Sequence, residues 1–316
     1  MTTARSRYEQ IVGEVHELLA TADGRARVLA RREHAKKMAE GLRRWSEELK
    51  SGRMRRRGAV FTVTQGALER ALAGRASLSV SVEVNGVGVG QVEFSPTHKP
   101  MFSATKDLDD QLAWSGNTQD GAKINAYLEQ CRLSKSMPER DVQGHMSARF
   151  RALFDGAQKP LGGLVPVRPA GCMMEIPTAV AASKTLQVGG GAIDILARTG
   201  RGRTGWFVAC ELKRYDSTER ADGVLLQAIR YAIALDVEIN GRGVLPPADA
   251  TVYRELFGGS GSAPLRFGAL AAISAVRRDE VTRAFAELAP PKNTWLGALL
   301  YEQNESRLRA ALVRPH

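Results

Sequence analysis

The chain contains 316 residues, of which 43% are hydrophobic and 25% charged, a composition typical of globular proteins and unlike that of disordered or fibrous ones. No apolar run approaches the length of about 18 residues that a membrane span requires, and the N-terminus lacks the basic-then-apolar pattern of a secretion signal. Cys131, Cys172 and Cys210 show neither a disulfide-framework nor a zinc-site spacing. We therefore expect a cytoplasmic protein without a membrane partner.

The net charge of +11 is concentrated near the N-terminus. Residues 23–57 hold thirteen Lys and Arg residues against five acidic ones, and no acid separates Arg53, Arg55, Arg56 and Arg57. Such a cluster is typical of a nucleic-acid-binding surface, because each neutralised phosphate releases condensed counterions. A solvated helix face and a docking surface for an acidic protein are the alternatives. DNA is the partner that we expect, with a partner protein or a second copy of the chain as further candidates.

Residues 1–135 predict an α+β region that binds nucleic acid or a partner. Apolar residues near the start recur at the helical period, and Asn85-Gly86 between two alternating runs is a strong hairpin signal. The predicted elements are helices at 5–22 and 25–50, a hairpin over Ser77–Phe94, a polar connection over 95–117 and a helix over Lys123–Leu133.

Residues 136–316 predict a second, α/β domain with a mixed sheet, in the order α-β-β-β-α-β. A helix is expected over Glu139–Phe154 and a long one over roughly 218–236, and two more helices are expected to close the chain. The predicted strands lie near Met173–Ala181, Val188–Ala197, Trp206–Lys213 and Phe267–Val276.

The third of these strands carries an unusual pair of charged residues. Side chains alternate between the two faces of a strand, so Val208, Cys210 and Leu212 predict one wholly apolar face. Glu211 and Lys213 share the other face. Asp194 is the one acid in the apolar end of the preceding strand, and a short antiparallel connection would bring it close to Glu211.

Two carboxylates together with a backbone carbonyl form a set of oxygen ligands that suits Mg²⁺ or Mn²⁺. A metal ion held there can activate water and neutralise the charge that develops on a phosphodiester. An adjacent lysine can orient that water or stabilise the transition state. The alternative is that Glu211 and Lys213 form an ion pair on a solvated face of the sheet.

Asp194 followed by Glu211-Leu212-Lys213 resembles the D-x(n)-E-x-K signature of the PD-(D/E)XK nuclease superfamily, although Ile193 replaces the proline. Gln227 and Tyr231 resemble the Q-x-x-x-Y motif of its RecB-like branch. Glu139 resembles a first-helix glutamate that many members use as a further metal ligand. The resemblance covers roughly residues 137–276 and implies a restriction-endonuclease-like αβββαβ core.

The resemblance implies an Mg²⁺-dependent deoxyribonuclease, of a kind used in restriction, phage defence and DNA repair. It implies that Asp194, Glu211 and the Leu212 carbonyl hold the metal and that Lys213 assists the water. Gln227 and Tyr231 would orient the catalytic strand or a DNA phosphate; packing of the helix on the sheet is their alternative role. Helix-dipole stabilisation is the alternative for Glu139, and Glu175 is a rival third ligand. The rival function is an inactive nucleic-acid-binding or scaffold protein on the same fold.

Overall fold

The structure is a computed structural model that describes thirteen stretches of the chain and is mixed α/β. The described residues are 6–44, 59–62, 77–84, 87–95, 100–105, 111–114, 119–130, 164–166, 174–182, 185–199, 205–257, 265–304 and 307–315. Within these ranges the helices are α1 (Arg7–Ala20), α2 (Ala22–Arg44), α3 (Gln119–Gln130), α4 (Ala221–Asn240), α5 (Ala250–Phe257) and α6 (Arg278–Leu288). Of these described helices, none is both long enough and apolar enough to cross a membrane.

A five-stranded antiparallel sheet lies in the N-terminal half, with its strands in sequence order. Its strands are β1 (Ala59–Thr62), β2 (Leu78–Val84), β3 (Val87–Phe94), β4 (Met101–Ala104) and β5 (Leu112–Ala113). Val84 pairs with Val87, so the predicted hairpin is confirmed. The prediction of a polar connection over 95–117 is wrong, because β4 and β5 lie there. Phe102 of β4 and Trp114, just after β5, are fully buried, although each run is too short to show a clear period.

The C-terminal half contains a seven-stranded mixed sheet in the order β14-β13-β12-β11-β10-β6, with β7 also paired to β10. A two-stranded ribbon of β8 and β9 precedes β10. The strands are β6 (Leu164–Pro166), β7 (Met174–Pro177), β8 (Val180–Ala181), β9 (Gln187–Val188), β10 (Ala192–Thr199), β11 (Trp206–Leu212), β12 (Arg266–Ser274), β13 (Leu296–Asn304) and β14 (Arg307–Val313).

The prediction that two helices close the chain is wrong. One helix, α6, follows β12, and then β13 pairs with β12 in parallel and β14 pairs with β13 in antiparallel. Leu296–Tyr301 is an almost continuous apolar run. Buried strands and buried helices both contain such runs, so periodicity does not distinguish the two structures here. The predicted helix over Glu139–Phe154 lies outside the described residues.

Helix α4 connects β11 to β12 and covers one face of both strands. The connection makes β11 and β12 parallel, as such a crossover requires. Fourteen of its residues are buried, including Val224, Ala228 and Leu235, so the helix is enclosed by protein on most sides. The long predicted helix over roughly 218–236 is confirmed, with its end four residues later at Asn240.

Helices α1 and α2 pack on the outer side of α4 and complete its enclosure. Ser6 and Glu9 form a capping box that starts α1, and Ile11, Val15 and Leu19 recur at helical spacing and are fully buried. The Arg32 Nε donates to the Glu238 carbonyl at 2.6 Å, which fixes α2 to α4. The first two helices therefore share a hydrophobic core with the C-terminal sheet.

Candidate active site

The antiparallel pairing of β10 with β11 places Asp194 beside Glu211. Ile195 pairs with Cys210, and continuing that register by one residue sets Asp194 opposite Glu211. The Asp194 Oδ2 accepts a hydrogen bond of 2.7 Å from the backbone nitrogen of Leu212. This bond holds the Asp194 carboxylate against the end of β11. The predicted proximity of the two acids across a short antiparallel connection thus has a structural basis.

A third acidic position joins this row from β7. Ile193 pairs with Ile176 and Ile195 with Met174, so the backbone register sets position 175 opposite Asp194. Residues directly opposite one another in an antiparallel pair are close neighbours across the sheet. Glu175, Asp194 and Glu211 therefore occupy one transverse row across β7, β10 and β11. The backbone position of Glu175, considered from the sequence as a rival ligand, therefore lies beside that of Asp194.

Lys213 lies between two carboxylates just beyond the end of β11. Its Nζ lies 2.8 Å from the Glu211 Oε1 and 3.4 Å from the Glu219 Oε2. The exposed fractions of the side chains rise from 3% for Glu211 to 14% for Lys213 and 35% for Glu219. The site therefore opens to solvent on the side of Lys213 and Glu219.

Two hydrogen bonds from neighbouring strands fix the backbone of Lys213. Its nitrogen donates to the Ala272 carbonyl of β12 at 3.0 Å, and its carbonyl accepts from the Tyr301 hydroxyl of β13. Sequence reasoning missed both Tyr301 and Glu219. Tyr301 lies 88 residues away, and Glu219 stands in a connection without a motif, so no local signal points to either.

Gln227 and Tyr231 lie on the face of α4 that is turned towards the sheet, and both are buried. The Gln227 Nε2 donates to the Tyr231 hydroxyl at 3.3 Å, and the backbone of Ala182 also hydrogen-bonds that hydroxyl. Burial raises the pKa of Tyr231, and the negative charges of Glu211 and Asp194 add to the increase. The phenol therefore stays protonated, and it lies close enough to Glu211 and Asp194 for their charges to act on it.

Close packing of Tyr231 depends on a glycine. A Cβ atom on Gly191 would lie 2.8 Å from the Tyr231 hydroxyl oxygen, closer than such atoms approach. The loop Gly189-Gly190-Gly191 therefore leads directly past Tyr231 into β10 and Asp194. The three glycines connect β9 to β10, which belong to different sheets.

The opposite face of β11 is purely apolar, as the alternation predicts. Val208, Cys210 and Leu212 are buried in a second hydrophobic cluster with Leu270 and Tyr301. Burial raises the pKa of the Cys210 thiol well above its usual value, and the charges of Asp194 and Glu211 act in the same direction. Cys210 is therefore an inert, protonated core residue and not a nucleophile.

The residues present fit a divalent hard cation. Mg²⁺ is usually held by one or two carboxylates and retains several waters, so Asp194 and Glu211 suffice in kind and number. Within the described part of the chain, no group of three or more His, Cys, Asp or Glu side chains could hold a metal ion. The Leu212 carbonyl stays a predicted ligand. Glu139 and the cluster of Arg53, Arg55, Arg56 and Arg57 lie outside the described residues.

The ion pair of the alternative interpretation is present between Glu211 and Lys213, but it does not lie on a solvated sheet face. Glu211 is 3% exposed, and its face of β11 is covered by α4. Comparisons of this chain with protein-family models, with curated proteins and with solved structures find no match. The chemical interpretation therefore depends on the geometry of Asp194, Glu211 and Lys213 themselves.

Proposed function

We propose that this chain is a metal-dependent nuclease with a PD-(D/E)XK active site at Asp194, Glu211 and Lys213. The observation that supports the proposal is the meeting of two carboxylates and one ammonium group at the adjoining ends of β10 and β11. Burying a charged trio of this kind is costly unless its members pair or act on a ligand. The +11 net charge favours a polyanionic substrate, and DNA is the substrate class that we propose.

Each residue has a defined task in this proposal. Asp194 and Glu211 would hold Mg²⁺ or Mn²⁺, which supplies an activated water and neutralises phosphate charge when bound. Lys213 places its ammonium beside Glu211, where it can stabilise the negative charge that develops on the phosphate oxygens. The hydrogen bond between Gln227 and Tyr231 keeps the buried polar face of α4 fixed against the catalytic strands.

Surrounding contacts support this use of Lys213. Glu219 and Glu211 both lie within ion-pair distance of its Nζ, so the two carboxylates hold the end of the side chain in place. The backbone bonds to Ala272 and Tyr301 limit movement of the Cα. A catalytic group held in this way loses little entropy when substrate binds.

The proposal is tested by incubating the purified protein with linear, circular and single-stranded DNA, in Mg²⁺, in Mn²⁺ and in chelator. We expect phosphodiester cleavage with either metal and none in chelator. A Lys292→Ala variant is a suitable control, because Lys292 is an exposed lysine in the turn before β13. It should cleave at the wild-type rate.

Two outcomes would contradict the proposal, and the form of DNA that is cleaved defines the type of nuclease. Cleavage that persists in chelator would contradict a metal-dependent site. DNA binding without cleavage under any metal would favour an inactive nucleic-acid-binding or scaffold protein. Cleavage of circular DNA would identify an endonuclease, whereas degradation of linear DNA alone would identify an exonuclease.

A further inference from the structure

Helix α2 reaches the loop that leads into the candidate active site. The Arg27 Nη2 would lie 3.2 Å from a Cβ atom built on Gly190, so its guanidinium lies directly over that glycine. Gly190 and Arg27 are both exposed. The contact forms because α2 packs beside β9, just before the three glycines. An arginine from the N-terminal helices thus borders the C-terminal sheet.

The loop is held in place on both sides of Gly190. The Gly189 nitrogen donates to the Ala179 carbonyl at 3.2 Å, and the Gly191 carbonyl accepts from the Thr178 nitrogen at 2.8 Å. Asp194 follows Gly190 by four positions, and an extended chain of that length spans at most about 14 Å. One strand of a DNA duplex rises about 3.4 Å per nucleotide. A phosphate bound at Arg27 would therefore lie within a few nucleotides of the phosphate at the carboxylates.

Arg27 places a positive charge beside the glycine loop. Among the described residues, none forms an ion pair with Arg27. Arg31 lies one helical turn further along α2; burial lowers the pKa of Arg31, and the positive charge of Arg27 contributes. The Arg31 Nε is buried without a hydrogen-bond partner among the described residues. Arg31 interacts with the charge of the buried Glu238, so the exposed guanidinium of Arg27 is the group beside the open glycine backbone, and it is complementary to an anion.

We propose that Arg27 and the Gly189–Gly191 loop form a binding site for a backbone phosphate of the nucleic acid, outside the scissile bond. The absence of side chains on the loop lets a phosphodiester approach the guanidinium and the backbone together. The site gives α2 a direct part in substrate binding. The inference takes the identity of its ligand, a nucleic acid, from the proposed function.

The test compares Arg27→Gln with Arg25→Gln. Both arginines are exposed residues of α2, but two positions on a helix point about 200° apart, so Arg25 faces away from the loop. Affinity for a short fluorescein-labelled duplex is measured by anisotropy across a salt series in chelator, where no cleavage interferes. We expect Arg27→Gln to weaken binding roughly fivefold to tenfold and to flatten the log-log salt slope by about 0.9.

Arg25→Gln should leave both quantities close to those of the wild type. Equal losses in the two variants would overturn the site, because they would indicate diffuse electrostatic attraction. Unchanged affinity and salt slope in Arg27→Gln would overturn the site too, and so would a wild-type protein that does not bind the duplex. Selective weakening by Arg27→Gln in a protein that cleaves no DNA would support the phosphate site and contradict the nuclease proposal, so the two failures are distinguishable.

Discussion

Glu211 and Glu238 are both glutamates with almost no exposure, 3% and 2%, but very different side chains surround them. Glu211 lies opposite a second carboxylate, Asp194, and beside the ammonium of Lys213 at a partly open strand end. Glu238 lies in the helical layer, where the Tyr253 hydroxyl donates to its Oε1 at 3.0 Å. Burial therefore does not by itself identify a catalytic carboxylate.

The surroundings of Glu238 indicate a structural role. Burial raises its pKa to about 7, while the positive charge of Arg31, the Tyr253 hydrogen bond and Arg32 act in the opposite direction. All three partners come from helices α2 and α5, which pack against each other and contact α4 at this point. Within the described part of the chain, no second acid shifts the pKa of this carboxyl group, and its side chain is almost completely buried. Glu238 therefore differs from Glu211 in the side chains that surround it and in the access that solvent or substrate has to it.

The largest effect is expected when Lys213 is replaced by alanine. Loss of the ammonium should lower the cleavage rate at saturating DNA by roughly 10²–10³-fold, the usual effect of removing one group that stabilises transition-state charge. Circular dichroism and DNA affinity in chelator should stay close to wild type, because Lys213 is not part of the hydrophobic core. Wild-type cleavage by Lys213→Ala would show that the trio around Glu211 is as structural as the cluster around Glu238.

The free energy of unfolding, measured as a function of pH, tests the structural role of Glu238. Its folded-state pKa of about 7 lies above the ordinary value of 4.5, so between these pH values the folded protein retains a proton that the unfolded chain has lost. Its contribution is fully present below pH 4.5 and is lost as the pH rises to 7. The loss should amount to about 3 kcal/mol in the free energy of unfolding.

Urea unfolding of the wild type and of Glu238→Gln across this range measures the difference. The glutamine variant should lack the decline with pH, whereas Glu287→Gln, at an exposed position on α6, should retain it. Parallel pH profiles for wild type and Glu238→Gln would contradict a protonated, buried Glu238.

A smaller effect is expected for the metal affinity of Asp194→Asn. The substitution turns a charged oxygen ligand into a neutral amide, so Mn²⁺ affinity measured by calorimetry should fall by at least about tenfold. Asp249→Asn, which changes an exposed carboxylate before α5, should bind Mn²⁺ like the wild type. Equal affinities for all three proteins would remove Asp194 from the ligand set.

The sequence predicts the strands around Glu211 well, because alternation along Trp206–Lys213 separates an apolar face from one that carries Glu211 and Lys213. The hairpin of β2 and β3 is equally local. The strand β13 is mispredicted, because its apolar run lacks a period. The packing of α1 and α2 on α4 depends on contacts across some 200 residues, such as that of Arg32 with Glu238, and has no local signal. Glu219 and Tyr301 escape sequence reasoning for the same reason.

The central claim is that phosphodiester chemistry takes place at Glu211 and not at the equally buried Glu238. Single-turnover cleavage of DNA in Mg²⁺ by Glu211→Gln and Glu238→Gln, at a temperature where both are folded, tests it most directly. The account predicts that Glu211→Gln loses at least about 100-fold in rate, since a metal ligand becomes neutral. Glu238→Gln should stay close to wild type. Equal rates in the two variants, or a larger loss in Glu238→Gln, would contradict the account.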